Sequence, residues 1–216
     1  MLLLLWRRAG SMRIIRLLYK SVHYGNILLK AKVCLMRFKL SLKLNNCKYG
    51  HGVRCYNAIP VLQINRNSGV VSLGNNVMFN SYTDQSWNSK CKLIVLANAT
   101  LTIGDDSGMN GAMIYCSQRV VIGKHVKIGG GTRISDSNHH SLDYKIRRTS
   151  RDYKLAKSAP VIIGDDVFIG ANCYIGKGVT IGDRSIVAAG SVVVKSIPAD
   201  EIWGGNPAKF IKKLTN

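Results

Sequence analysis

Two adjacent histidines, His139 and His140, stand in the stretch "RISDSNHHSLDYKIRR" (133–148) beside Asp136, Asn138, Asp143 and several basic residues. A neutral imidazole has an unperturbed pKa near 6.5 and takes up a proton close to neutrality. Held against a weakly acidic nucleophile, it acts as a general base, help typically worth about 10²–10⁴-fold in rate. Covalent chemistry has less to recommend it. No serine stands in a G-x-S-x-G elbow, and the six cysteines (34, 47, 55, 91, 116 and 173) form no C-x-x-C pair and no metal-like spacing. They read as reduced packing residues of a cytosolic protein. An arbitrary His-His pair is ordinarily two solvated side chains, so the elements that hold this one decide its meaning.

Those elements repeat. Ile163, Ile169, Ile175, Ile181, Val187 and Val193 recur every six residues; glycine follows four of them, and Ala188 follows a fifth. Four positions after each of the first five stand Val167, Cys173, Val179, Ser185 and Ser191, all small or β-branched. The same frame runs earlier through Ile122-Gly123, Ile128-Gly129 and Ile134-Ser135, and more loosely at Leu73-Gly74 and Ile103-Gly104. A period of six suits neither an α-helix nor a simple hairpin. It suits short parallel strands, three hexads to a triangular coil, stacked so that aliphatic side chains fill the interior and the backbone pairs between coils.

The frame breaks at residues 135–160, the segment holding the histidines, and a solenoid tolerates such insertions as loops on one side, where function often lies. It ends near Pro198. Beyond it, Ala208–Leu214 reads as a short basic helix closing the stack. The domains are therefore a basic N-terminal cap (1–60), a β-helix (61–198) with its loop at 135–160, and a tail with helix (199–216). Within the cap, Ile14, Ile15, Leu17, Leu18 and Val22 share a helical face opposite Arg13, Arg16 and Lys20, giving an amphipathic segment suited to a membrane surface or to packing on protein. "RFKLSLKL" (37–44) alternates strictly and predicts a half-buried strand.

Residues 1–83 carry thirteen Lys and Arg and no Asp or Glu; the whole chain has a formal net charge of +20. Such a field favours polyanionic partners: anionic lipid, acidic polysaccharide or a phosphorylated cofactor. Nucleic acid is disfavoured, since no aromatic platform or known reader motif accompanies the charge. The opening "MLLLLWRRAGSM" is too short to span a membrane and orders its charges unlike a signal peptide; Met12 is a second candidate start.

"GMNGAMIYC" (108–116), "ISDSNHHSLD" (134–143), "IIGDDVFIGANCYIGKGVTIGDRSIVAAGSVVVKSIP" (162–198) and "GGNPAKFI" (204–211) resemble the hexapeptide-repeat acyltransferases. More closely, they resemble the maltose and galactoside O-acetyltransferase group and its bacterial surface-polysaccharide and polysialic acid O-acetyltransferase relatives. The resemblance implies an all-β fold, a left-handed parallel β-helix, in homotrimers with active sites between subunits. It implies acetyl transfer from acetyl-CoA to a sugar hydroxyl. The family's Asp-x-Asp-x-His motif falls on Asp136, Asn138 and His140, with Asn replacing the second Asp and leaving Asp136 as the carboxylate to orient the base. Phe168 stands where relatives usually carry Trp, which keeps an apolar wall but loses an N–H donor. The same resemblance gives His139 and Asn110 to the acceptor pocket. To acetyl-CoA it gives Gly170, Ala171, Ala189, Lys195, Pro207, Lys209 and Lys212.

The favoured acceptor is an acidic or membrane-associated surface polysaccharide, such as a sialic acid polymer or its precursor, modified in the cytoplasm at the inner face of the membrane. A free or nucleotide-linked sugar or amino sugar is the alternative. A zinc hydratase or a non-catalytic solenoid is the remaining one: a hydratase of this shape needs three converging histidines, and His125, His139 and His140 are badly spaced for it, so no metal is expected.

Overall fold

A computed structural model describes residues 27–83 and 88–215, together with Lys20 and Gly25. The amphipathic segment around residues 13–22 lies outside the described residues, Lys20 apart.

The hexads wind a three-faced left-handed β-helix. The first face stacks Lys48–Tyr49, Val70–Leu73, Thr100–Ile103, Arg119–Ile122, Val161–Ile163 and Thr180–Ile181. A second runs from Arg54–Tyr56 through Met78–Asn80, Gly108–Asn110, Lys127–Ile128 and Phe168–Ile169 to Ile186–Val187. The third joins Val61–Ile64, Lys92–Val95, Met113–Cys116, Arg133–Ser135, Tyr174–Ile175 and Val192–Val193. All pairs within these runs are parallel, and coiling begins at Lys48, ahead of the residue 61 expected from the sequence. Ile163 lies beside Ile181, Ile169 beside Val187 and Ile175 beside Val193, each partner three hexads on. All six of these side chains are buried, as are Val167, Cys173, Val179, Ser185 and Ser191. Each aliphatic side chain removed from water stabilises the stack by about 1.5–3 kcal/mol.

The corners explain the rest of the hexad. Asp166, Asn172, Gly178, Arg184 and Gly190, again six apart, all have positive φ between 57° and 74°, the turn that lets the next strand start. The glycine after each aliphatic residue answers a different need. A Cβ on Gly164 would stand 2.2 Å from Asp183 Oδ1, and one on Gly170 2.5 Å from the Ala189 nitrogen of the next coil. At the first of these corners the space is filled by a polar ladder: Asp183 accepts from the Asp165 N–H (2.8 Å), and Asp165 from that of Lys124 (2.7 Å).

Two sequence expectations are corrected. Residues 37–44 belong to a helix, α1 (27–44), not to a strand. Phe38 and Leu42, one turn apart, are fully buried while Leu40 and Leu44 are 57% and 60% exposed. The Phe38 ring meets Phe79 of the first coils edge-on at 5.4 Å, so α1 caps the open end of the stack, and the period-4 pair outweighs the period-2 alternation. The terminal helix is also absent: Lys209–Lys213 is a strand, antiparallel to Glu201–Gly204 at the end of the second face. A seven-residue segment is too short to nucleate a helix by itself. The unpaired edge of Glu201–Gly204 offers hydrogen bonds instead, and lysines suit an exposed edge.

Candidate active site

The chain departs from the coil after Ser135 and rejoins it at Val161, so Ile122 pairs with Ile163, an offset of 41 positions (163 less 122) in place of three hexads. The excursion folds back over the third face. Ser135 and Tyr115, neighbours across that face, are both buried. The His139 ring packs on Tyr115 (4.3 Å between centroids), its Nε2 is 3.0 Å from Ser135 Oγ, and Tyr115 shares a hydroxyl contact with Tyr153 of the loop.

His139 has φ +64°, a left-handed conformation uncommon for a residue with a side chain. The reversal turns the neighbouring rings apart: His139 lies inward, and the His140 side chain is 66% exposed. Nδ1 of His140 stands 2.6 Å from Asp152 Oδ2, while the other oxygen of Asp152 accepts from the Ser141 N–H at 2.7 Å. With Nδ1 donating to a carboxylate, the lone pair of neutral His140 is on Nε2. No hydrogen bond to that nitrogen is made among the described residues. The hydrogen bond from His140 holds the Asp152 carboxyl below its ordinary pKa, with the Ser141 N–H assisting. His139 differs: burial chiefly, and the nearby His140, lower its pKa, while Asp136 opposes the shift.

The loop is held by its own ties. Asp143 caps the short helix α2 (Tyr144–Arg147) by accepting from the Lys145 N–H at 2.8 Å, and the Arg147 guanidinium reaches the Ser141 carbonyl at 3.0 Å.

Asp136 does not orient a histidine here. It is fully buried, and its carboxylate accepts from the backbone N–H groups of Ser117, Gln118 and Arg119 at 2.7–2.8 Å and from Ser117 Oγ at 2.9 Å. Its oxygens secure the turn of the previous coil. The carboxylate on His140 is Asp152, which sequence reasoning missed, although Asp143 and Asp152 are the only carboxylates between 137 and 160. Asn138 is half-buried, and its backbone N–H donates to the Lys157 carbonyl at 3.0 Å.

The other expected site residues are distributed elsewhere. Asn110 ends a strand of the second face, and Phe168, 49% exposed, lies on that face, not on the one the loop covers. Gly170, Ala171 and Ala189 lie at the corner between second and third faces, beside Asn172, and their own side chains extend no further than a methyl group. Lys195, Pro207, Lys209 and Lys212 are exposed at the C-terminal end. A cleft of about 670 Å³ opens beside that corner, its walls including Lys90, Lys92, Met113 and Arg133. Met113 and Arg133 sit two residues before Tyr115 and Ser135 on the same strands, so cleft and histidine loop share the third face.

The five buried thiols are unsuited to nucleophilic work. Burial pushes Cys47 up to about 11 and, with lesser contributions from neighbours, Cys55 and Cys116 up to about 12; Cys91 and Cys173 are also raised by burial. Among the described residues, no three His, Cys, Asp or Glu side chains gather as a metal site. What the arrangement offers is a proton acceptor at Nε2 of His140, steadied by Asp152 and open to solvent.

Comparisons with known proteins agree with the coil. The family described as "Hexapeptide repeat of succinyl-transferase" matches residues 160–195. The galactoside O-acetyltransferase of Escherichia coli is 34% identical over 120 residues, 56% of this chain and 51% of that protein. A maltose O-acetyltransferase from Clostridium difficile is 32% identical over 54% of this chain and 60% of its own, with a TM-score of 0.50. An N-acyltransferase from Bacillus cereus shares the fold across 82% of this chain and 88% of its own, at 22% identity and a TM-score of 0.61. The chain spans about half the length of the curated relatives it matches first. The repeat, the coil it builds and these likenesses give the chain the left-handed β-helix fold, and its residues 160–195 match the hexapeptide-repeat family.

Proposed function

We propose that the protein is an acetyltransferase that moves the acetyl group of acetyl-CoA to a sugar hydroxyl, with His140 as general base. The observation that carries this reading is the His140–Asp152 pair on the loop that interrupts the coil. The acceptor hydroxyl gives its proton to His140 Nε2 as its oxygen attacks the thioester carbon. The tetrahedral oxyanion collapses, the C–S bond breaks, and the departing thiolate takes the proton back from the imidazolium. Asp152 holds the ring through both transfers by its hydrogen bond from Nδ1. No covalent enzyme intermediate is needed, in keeping with the raised pKa of the buried thiols.

Acetyl-CoA would lie along the corner of Gly170, Ala171 and Ala189, whose side chains, no larger than methyl, admit a thin pantetheine arm. Lys195, Lys209 and Lys212 would meet its phosphates, and Pro207 would border the nucleotide. Because His140 and Phe168 stand on different faces of one chain, a site using both draws on a second copy, which supports a homotrimer with Phe168 and Asn110 of one subunit facing the loop of the next. The acceptor is an acidic surface polysaccharide or its precursor in the cytoplasm. Lys90, Lys92 and Arg133 in the cleft on the loop's own face support that charge preference.

The test follows free CoA while purified protein meets acetyl-CoA and a panel of acidic polymers, their carboxyl-reduced forms and neutral sugars. Acceptor-dependent CoA release that vanishes in His140→Ala is expected. Release unaffected by that substitution, or no release with any acceptor, overturns the proposal. Arg133→Glu is expected to raise KM for acidic acceptors and leave KM for acetyl-CoA unchanged.

A further inference from the structure

Helix α1 has two apolar faces, and the stack covers one of them. At about 100° per residue, Cys34, Phe38 and Leu42 fall on the side that meets the coils, where Phe38 and Leu42 are fully buried and Cys34 is packed against the core. Leu29, Val33, Met36, Leu40 and Leu44 line the opposite side and are 44–70% exposed. They span about 22 Å of helix. Lys30 and Arg37 follow along one flank of this stripe, and Lys32, Lys39 and Lys43 along the other. Helix α1 has no acidic residue, nor has any position before Asp84.

A solvated helix face does not need five aliphatic residues in register. The flanking charge decides what covers them. A second copy of this face would set lysine rows against lysine rows, and like charges at contact distance oppose that pairing. An anionic lipid surface satisfies both features: the stripe enters the boundary between headgroups and acyl chains, and both basic rows meet lipid phosphates. No helix among the described residues is long and apolar enough to cross a membrane; α1 is suited to lie in its surface.

We propose that α1 docks the protein on anionic bilayers through Leu29, Val33, Met36, Leu40 and Leu44, with the open end of the β-helix facing the membrane. This surface is separate from the histidine loop and stands or falls independently of the catalytic reading.

The full chain is to be sedimented with vesicles of phosphatidylcholine alone and with phosphatidylglycerol added. Met36→Glu/Leu40→Glu is compared with wild type, the folded state being followed by melting temperature and the assembly by native mass. Wild type is expected to favour the anionic vesicles by about tenfold or more, and high salt to weaken that preference. The double variant is expected to lose about tenfold in partition at unchanged melting temperature and native mass. Equal partition of variant and wild type, or no preference for anionic vesicles, overturns the proposal. So does a fall in native mass in the variant, which would make the stripe a contact between copies. CoA release with a soluble acceptor is expected to be the same in both proteins.

Discussion

Residues 161–197 and residues 136–160 are joined end to end and built on opposite principles. In the first, each side chain type is dictated by its place in a hexad: aliphatic inside, small residue after it, positive φ at the corner. In the second no period survives, α2 has no buried residue, and shape depends on side chains holding the backbone, as Asp143, Arg147 and Asp152 do. The contrast teaches a division of labour. The coil stores stability in many equivalent contacts, and the loop carries groups whose value lies in position. Substitutions therefore separate: coil variants should lose stability and keep chemistry per folded molecule, while loop variants should do the reverse.

The largest effect is expected from the loop. His140→Ala should lower kcat by about 10²–10⁴-fold with the melting temperature unchanged, since the side chain is mostly solvated. A comparable fall in stability would break the division. Next comes Ile175→Ala in the coil, where a fully buried side chain between coils is truncated. The expected cost is about 2–5 kcal/mol in denaturant unfolding, with kcat near wild type at temperatures where the variant stays folded.

How much of this the sequence made legible follows the same boundary. The coil was readable because six-residue spacing repeats the same steric demand, and Ile163 through Val193 are all buried as the period requires. The ends were misread because a competing surface decided them: the stack's open mouth selected a helix at Phe38 and Leu42, and a bare strand edge captured Lys209–Lys213. In the loop, the sequence points to His140 and gives no sign of the carboxylate that it meets. Asp136 is near in sequence but turned into the coil, and Asp152, twelve positions away, reaches His140 only through a fold that has no period to reveal it.

Asp136 and Asp152 sharpen the comparison because they sit in one excursion and serve different sides of it. Asp136→Ala should behave as a coil substitution, costing about 2–3 kcal/mol by stripping the N–H groups of Ser117, Gln118 and Arg119 of their acceptor. Asp152→Asn should behave as a loop substitution. An asparagine amide that donates to Nδ1 favours the tautomer with its proton on Nε2, so kcat should fall on the order of tenfold or more while KM for acetyl-CoA and the melting temperature hold. The opposite pattern in the two variants would restore Asp136 to the catalytic role that its motif position implies.

The smallest effect concerns His139, which lies on the border and is predicted to act with the coil. Its pKa is lowered in the folded protein, mainly by burial, because the ring lies against Tyr115 and Ser135 where its charged form is disfavoured. In the unfolded chain the imidazole takes up its proton near the ordinary value of about 6.5. Between that pH and the lower folded value the unfolded state binds more protons, so acidification through this window draws the equilibrium toward unfolding. Wild-type melting temperature should therefore decline as pH falls below about 6.5, and His139→Gln should remove part of that decline while retaining catalysis by His140. Superimposable pH profiles for the two proteins would mean that His139 is as solvated as its neighbour, and the border between coil and loop would then lie at Ser135.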